Sequence, residues 1–316
     1  MSNNFDEVFQ ANGYVCGNPI LNESEIIILR NLLDSEFSKN TDYKGAGLLI
    51  HKFQSFELAK KIIKILFSKE VTEIITELQK NSEEFLSILP LISVHKNYHN
   101  NLNETLGWHR DCGGELAYEY CKNKLSDKNY LFTKIGIYLQ ENTNYGGCID
   151  IIKNSHKNFS KSTIIIRKIR SFALKMTLVF HKFFKKLYLK IPERFFMILI
   201  NAKTLNPKKS SPLFFDSRLI HRGTPISKDL IKTATFEKKY QIRLDKMHTK
   251  YVIYSQFGNA LSIDSYMFDR LKRKDGRNEI KLWVDQINFI DQIDKTLANK
   301  IKLALGPIKH KYNFTY

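Results

Sequence analysis

KIGIYLQENTNYGGCIDIIKNSH, residues 134–156, contains two short runs of β-branched and aromatic residues separated by a polar, glycine-bearing turn. Runs of this length and composition, bounded by turn residues, read as strands. In the first, Lys134, Gly136, Tyr138 and Gln140 share one face, opposite Ile135, Ile137 and Leu139. Outward in both directions the pattern recurs, in LISVHKNYH (91–99), SPLFFDSRLIHRG (211–223) and KYVIYSQFGN (250–259). Gly or Pro punctuates these runs, which suggests an antiparallel β core.

The chain ahead of these strands is helical in pattern. A Gly13-Tyr14-Val15 strand leads through a Gly17-Asn18-Pro19 turn towards Asn22, a good helix N-cap with Glu25 at the capping-box position. Ile26, Leu29, Leu32 and Leu33 then fall on one helical face, and a second amphipathic stretch runs over 56–79. Helices first and strands after give a mainly β, α+β protein: a β-sandwich or jelly roll with helical support, not a doubly wound parallel sheet. The expected organisation is one domain over 1–316. Its parts are an N-terminal strand and supporting helices (1–90), the first half of the β core (91–156), a basic insert (157–210), later strands (211–260) and a C-terminal helical extension (261–316).

Composition narrows the function classes. At 43 % hydrophobic and 12 % aromatic residues, the 316-residue chain can bury a substantial core. No run of 18 uncharged apolar residues is present, which argues against a membrane-spanning helix. The opening MSNNFDEVFQ has acidic residues and no apolar run, so a secretion signal is not expected and a cytoplasmic location is. Cys16, Cys112, Cys121 and Cys148 form no Cys-x-x-Cys pattern, and reduced thiols are expected.

The net charge of +18 is local. Residues 157–209 hold fourteen lysines and arginines against one acidic residue, Glu193, and so carry thirteen of those charges. On a helical wheel Ile165, Ile169, Phe172, Met176, Phe180, Phe183 and Leu187 lie on one side. Lys168, Lys175, Lys182, Lys185 and Lys186 lie on the other, and Pro192 marks the end. Three readings compete for this basic amphipathic helix. It could lie on an anionic membrane surface through 163–191, peripheral at the inner face. It could be a lid whose basic face meets an anionic, nucleotide- or phosphate-linked substrate. Or its apolar face packs on the domain and its lysines are solvated. Nucleic acid ranks behind all three, because no zinc-finger, RNP-type or helix-turn-helix pattern accompanies the charge.

GWHRDCGG (107–114) raises a metal question. His109 and Asp111 are two apart, so on a strand both point to the same side. A non-haem iron site needs two imidazoles and one carboxylate on one face of the metal. His221, at the end of 211–223, is the strongest third candidate; Phe215, Ser217, Leu219 and His221 would share a face of that strand. His51, His95, His99, His156, His181, His248 and His310 compete as histidines. Zinc with a catalytic water suits the same ligands on spacing alone.

Several ordered segments resemble the phytanoyl-CoA dioxygenase family of Fe(II)- and 2-oxoglutarate-dependent oxygenases. FQANGYVCGNPILNESEIIILRNLL (9–33) looks like its N-terminal section, and GWHRD (107–111) like its metal motif. KIGIYLQENTNYGGCIDIIKNSHK (134–157), FFDSRLIHRGTP (214–225) and KYVIYSQFGN (250–259) are similar to its later strands. Together they cover roughly half the chain, in order. The resemblance implies a double-stranded β-helix (jelly-roll, cupin-like) core, with Fe(II) held by His109, Asp111 and His221 and with 2-oxoglutarate and O2 as cosubstrates.

In the family a basic residue after the distal histidine, usually Arg, anchors the far carboxylate of 2-oxoglutarate. Here Lys250 aligns with it, after a longer linker, and Arg243 is the alternative anchor. Lysine neutralises a carboxylate as a point charge, without the bidentate fork. Lys134, pointing into a barrel, would need a carboxylate partner, which 2-oxoglutarate could supply; a surface lysine is the other reading. Asn97 is a further polar candidate for the pocket. With Asp111 present, where related halogenases have a small residue, the implied reaction is hydroxylation or a related oxidation, releasing succinate and CO2. The alternatives are a non-catalytic binding or scaffold protein on the same fold, and a zinc-dependent hydrolase. The substrate class left by these observations is a small molecule, anionic or lipid-linked.

Overall fold

The computed structural model describes residues 4–40, 47–78, 87–97, 108–111, 130–142, 148–157, 197–224, 249–259, 262–264, 266–268, 276–312 and 315. At the N-terminus, α1 (Phe5–Asn12) ends at Gly13, whose φ of 77° suits glycine, and β1 (Tyr14–Cys16) follows. Asn22 opens α2 (Glu23–Lys39) through a complete capping box. Its side chain accepts the Glu25 N–H at 3.0 Å, and the Glu25 carboxylate accepts the Asn22 N–H at 2.8 Å.

Ile26, Leu29, Leu33 and Phe37 form the buried stripe of α2. Leu32, expected on that stripe, is 42 % exposed. At 3.6 residues per turn it stands roughly 90° away from the stripe's centre. Glu36 is buried instead, its carboxylate accepting the backbone N–H groups of Gln54 and Ser55 at 2.6 and 3.1 Å.

The short β2 (Leu48–Leu49) precedes α3 (Phe56–Leu66) and α4 (Lys69–Leu78), which realise the second amphipathic stretch. Next come β3 (Ser87–Asn97), β4 (Phe132–Tyr138), β5 (Ile149–Ile152), β6 (Ala202–Leu205), β7 (Pro212–Asp216), β8 (His221–Gly223) and β9 (Lys250–Gly258). Towards the C-terminus follow α5 (Gly276–Ile293), α6 (Lys295–Ala304) and α7 (Gly306–Tyr312).

Among the described residues all strand pairings are antiparallel. The larger sheet has the order β1-β7-β4-β9-β3-β2, and the smaller one β6-β5-β8. A bridge between His109 and His221 adds the chain around His109 to the free edge of β8. The larger sheet thus contains β3-β9-β4-β7 and the smaller one His109-β8-β5-β6, with the chain passing back and forth between them. That is the double-stranded β-helix order.

Strand parity separates the two faces of the larger sheet. Ile135, Ile137, Phe214, Tyr251, Ile253 and Phe257 face the helices and share their core. Tyr138, Leu213, Phe215 and Val252 face the smaller sheet and pack on its Ile149, Ile151 and Leu205. Cys148 joins this inner core, and neither it nor Cys16 is in a disulfide.

The run 211–223 departs from expectation. It is two strands, not one: β7 lies in the larger sheet and β8 in the smaller. Asp216 makes the turn between them. Its carbonyl accepts the Leu219 N–H at 2.9 Å, and its carboxylate accepts the Arg218 backbone and side-chain N–H groups at 2.6–3.1 Å. Phe215 and His221 therefore meet across the interior, with rings 5.0 Å apart, rather than along one strand face. The basic helix over 163–191 lies outside the described residues. Among the described residues, no helix is long and apolar enough to cross a membrane.

Candidate metal centre

One pair of backbone hydrogen bonds places two of the expected ligands. His109 N–H donates to the His221 carbonyl and His221 N–H to the His109 carbonyl, each at 2.9 Å. Directly opposed antiparallel residues send their side chains off the same face, and the two imidazole centroids are 4.4 Å apart. Asp111 is fixed from the neighbouring turn, its N–H donating to the Ser217 carbonyl at 2.9 Å. The turn that moves the chain between sheets therefore also anchors the carboxylate.

Asp111 Oδ1 lies 3.6 Å from His109 Nε2, and Oδ2 lies 3.1 Å from His221 Nε2. Ligand atoms of all three residues fall within 4.8 Å of one another. His221 Nδ1 lies 3.0 Å from the Leu219 carbonyl. A carbonyl only accepts, so Nδ1 carries the proton and Nε2 presents its lone pair to the centre. The arrangement is a two-histidine, one-carboxylate facial set. Its donors suit a divalent first-row metal such as Fe(II).

The charge around Asp111 supports ligation. Burial alone would raise its carboxyl pKa, but Lys134, His221 and His109 outweigh burial and hold it well below the usual carboxylate range. Lys134 Nζ stands 3.0 Å from Asp111 Oδ2. Lys134 thus points inward, and its carboxylate partner among the described residues is the candidate ligand Asp111. Above it, His95 is held uncharged at neutral pH: burial, aided by Lys134, pushes its pKa down to about 4.

Lys250 opens β9 on the face shared by Val252 and Tyr254, opposite Asn97 of β3 in register. It is buried, and burial brings its ammonium down to about 8 against the opposing pull of Cys148 and Asp150. Asn97 is placed by its backbone register alone, and Arg243 lies outside the described residues.

Two groups of residues were not singled out in the sequence. Tyr138 and Tyr254 join hydroxyls at 3.0 Å within the interior, and the Tyr254 ring stands edge-on to His95 at 4.8 Å. Tyr138 shares the Lys134 face, a parity visible in 134–138. Behind the ligands, Asp150 and Arg222 form a buried ion pair at 2.8 Å. Its signal was a lone carboxylate between isoleucines in CIDII and an arginine directly after the distal histidine.

No protein-family model matches this chain. No curated protein matches its sequence either. Solved structures of low sequence identity are similar to it. EctD from S. alaskensis, crystallised with 2-oxoglutarate and 5-hydroxyectoine, is 12 % identical with a TM-score of 0.49, over 82 % of this chain and 76 % of its own. SnoK, a non-heme alpha ketoglutarate dependent carbocyclase from nogalamycin biosynthesis, is 12 % identical with a TM-score of 0.48, over 82 % and 85 %. AviO1 from Streptomyces viridochromogenes Tue57 is 11 % identical with a TM-score of 0.46, over 80 % and 93 %. At these identities the activities of those proteins remain their own.

Proposed function

We propose that this chain is an Fe(II)- and 2-oxoglutarate-dependent oxygenase of the phytanoyl-CoA dioxygenase type, hydroxylating a small-molecule or lipid- or phosphate-linked substrate. The observation that carries the reading is the convergence of His109, Asp111 and His221 inside a double-stranded β-helix. These three residues would hold the iron. When bound, iron and 2-oxoglutarate supply the oxidising chemistry, with release of succinate and CO2.

The protein's own contribution is positional and electrostatic. The opposed backbone pair aims the imidazoles, Leu219 fixes the His221 tautomer, and the Ser217 carbonyl seats Asp111. Lys134 keeps the Asp111 carboxylate ionised. Lys250 is the anchor we favour for the far carboxylate of 2-oxoglutarate, because it is a buried cation on the inward face of β9. The apolar walls of Phe215, Leu219 and Val252 limit water. We also propose a cytoplasmic location and an anionic group on the substrate, met by the basic face of 163–191. Peripheral contact of that helix with the inner membrane surface is the competing use of the same charge.

The test is turnover. The chain incubated in air with Fe(II) and 2-oxoglutarate should form succinate, at a rate abolished in His221→Ala. Zinc-supported hydrolysis with no succinate formed would replace this reading with a hydrolase, and binding of 2-oxoglutarate without turnover would leave a binding protein.

A further inference from the structure

The chain around His109 meets β8 through a single bridge pair among the described residues. Two hydrogen bonds without a ladder specify register weakly, yet this register decides whether both imidazoles face the same point. The Asp111 N–H on the Ser217 carbonyl adds one bond at the neighbouring turn, and the reverse face of the smaller sheet supplies a further hold on the two segments.

Trp108 precedes His109 and Arg222 follows His221, so parity puts both on that reverse face. The Arg222 guanidinium lies over the Trp108 ring, 4.7 Å from its centroid. Arg222 Nε donates to Asp150 Oδ2 at 2.8 Å, and Asp150 sits directly opposite Arg222 on β5. Asp150 Oδ1 accepts the Thr204 and Thr224 hydroxyls at 2.6 and 3.1 Å. The result is a rung running across β6, β5 and β8 and ending on the tryptophan beside the first ligand. Trp108 is fully buried, Asp150 and Arg222 each 1 % exposed.

A buried ion pair is a poor device for stability, since desolvation offsets most of its attraction; its best-attested use is to fix register. Stacking a flat guanidinium on an indole adds a directional contact that an ammonium would not reproduce. We infer that Asp150, Arg222 and Trp108 form a clamp behind the metal ligands that positions the His109 and His221 imidazoles, a role that rests on the iron reading above. None of the three touches the reacting atoms; they are positioning residues acting through the backbone pair.

Anaerobic titration of the full chain with Co(II), followed by its visible spectrum, tests this without turnover. Arg222→Met should remain folded, weaken Co(II) binding by about 10–100-fold, the usual effect of losing an outer partner of a ligand, and alter the spectrum. Arg222→Lys should recover only part of the affinity. Leu29→Ala, which destabilises the chain from the helical layer, should leave both affinity and spectrum as in the natural chain. Thr204→Val removes one hydroxyl from Asp150 at nearly constant volume and should give a smaller loss in the same direction; it decides the matter if Arg222→Met does not fold. A folded Arg222→Met, or failing that Thr204→Val, with unchanged affinity and spectrum would overturn the clamp. Equal weakening by Leu29→Ala would overturn it too. A natural chain that takes up no Co(II) would instead overturn the iron reading.

Discussion

His109 and His221 are one hydrogen-bonded antiparallel pair, each N–H donating to the other's carbonyl at 2.9 Å. Two candidate ligands 112 positions apart in the chain are thereby set directly opposite each other by one pair of cross-strand hydrogen bonds. Asp111 joins them because its own N–H is held by Ser217, in the turn that leads into His221. The backbone thus brings the three candidate ligands together before any ion is bound.

That arrangement predicts a steep dependence on each ligand. His221→Ala should weaken Co(II) or Fe(II) binding by more than ~100-fold, beyond the effect of losing an outer partner, while the chain still melts cooperatively. Equilibrium dialysis against metal measures it. Retained affinity would show that the metal lies elsewhere.

Lys250 predicts a pH dependence of cosubstrate binding. Its ammonium is brought down to about 8 by burial, so the free protein carries the charge below that pH and loses it above. Binding a carboxylate requires the charged form. The Kd for 2-oxoglutarate should be flat below about pH 8 and rise by roughly tenfold per unit above it, by linkage. Lys250→Met should weaken binding by roughly 10–100-fold, the worth of one charged hydrogen bond, and abolish the pH step. Lys250→Arg should bind without the step, because a guanidinium stays charged. Calorimetric titration across pH 6.5–9.5 reads all three; a flat profile for the natural chain would move the anchor away from Lys250.

Helix α2 separates two leucines that the sequence pattern placed together. Leu29→Ala should cost about 2–5 kcal/mol, because Leu29 is fully buried. Leu32→Ala, at a 42 % exposed position, should cost less than about 1 kcal/mol. Urea denaturation compares them, and similar losses would contradict the stripe.

Asp216 holds the crossing between sheets. Asp216→Ala removes acceptors for the Arg218 backbone and side-chain N–H groups in a buried turn. A loss of about 1–3 kcal/mol is expected from those unsatisfied donors. Because the same turn seats Asp111, metal affinity should fall with stability; a stability loss alone would separate the turn from the site.

Much of this was legible in the residues. The alternation in 134–140 gave the inward face of β4, Asn22 and Glu25 gave the start of α2, and the spacing of His109 and Asp111, together with the family resemblance, singled out the three residues His109, Asp111 and His221 that the fold brings together. What was not legible has a common cause. The break between β7 and β8 depends on Asp216 bonding its own neighbours, a local competition that a run of apolar residues hides. Leu32 was misplaced because six leucines and isoleucines within the eight residues 26–33 leave the stripe's centre ambiguous until the helix is packed. Asp150 and Arg222 are 72 positions apart, and only sheet register brings them together. Lys134 was read either as an inward lysine needing a carboxylate, with 2-oxoglutarate as a possible supplier, or as a surface lysine; the carboxylate it meets is Asp111, from a different segment of the chain.

The most direct measurement is anaerobic titration of the full chain with Fe(II) and 2-oxoglutarate while the visible spectrum is recorded. The account predicts a weak charge-transfer band that needs both components, saturates at one iron per chain and is lost in His221→Ala. Saturating Fe(II) and 2-oxoglutarate with no such band would contradict it.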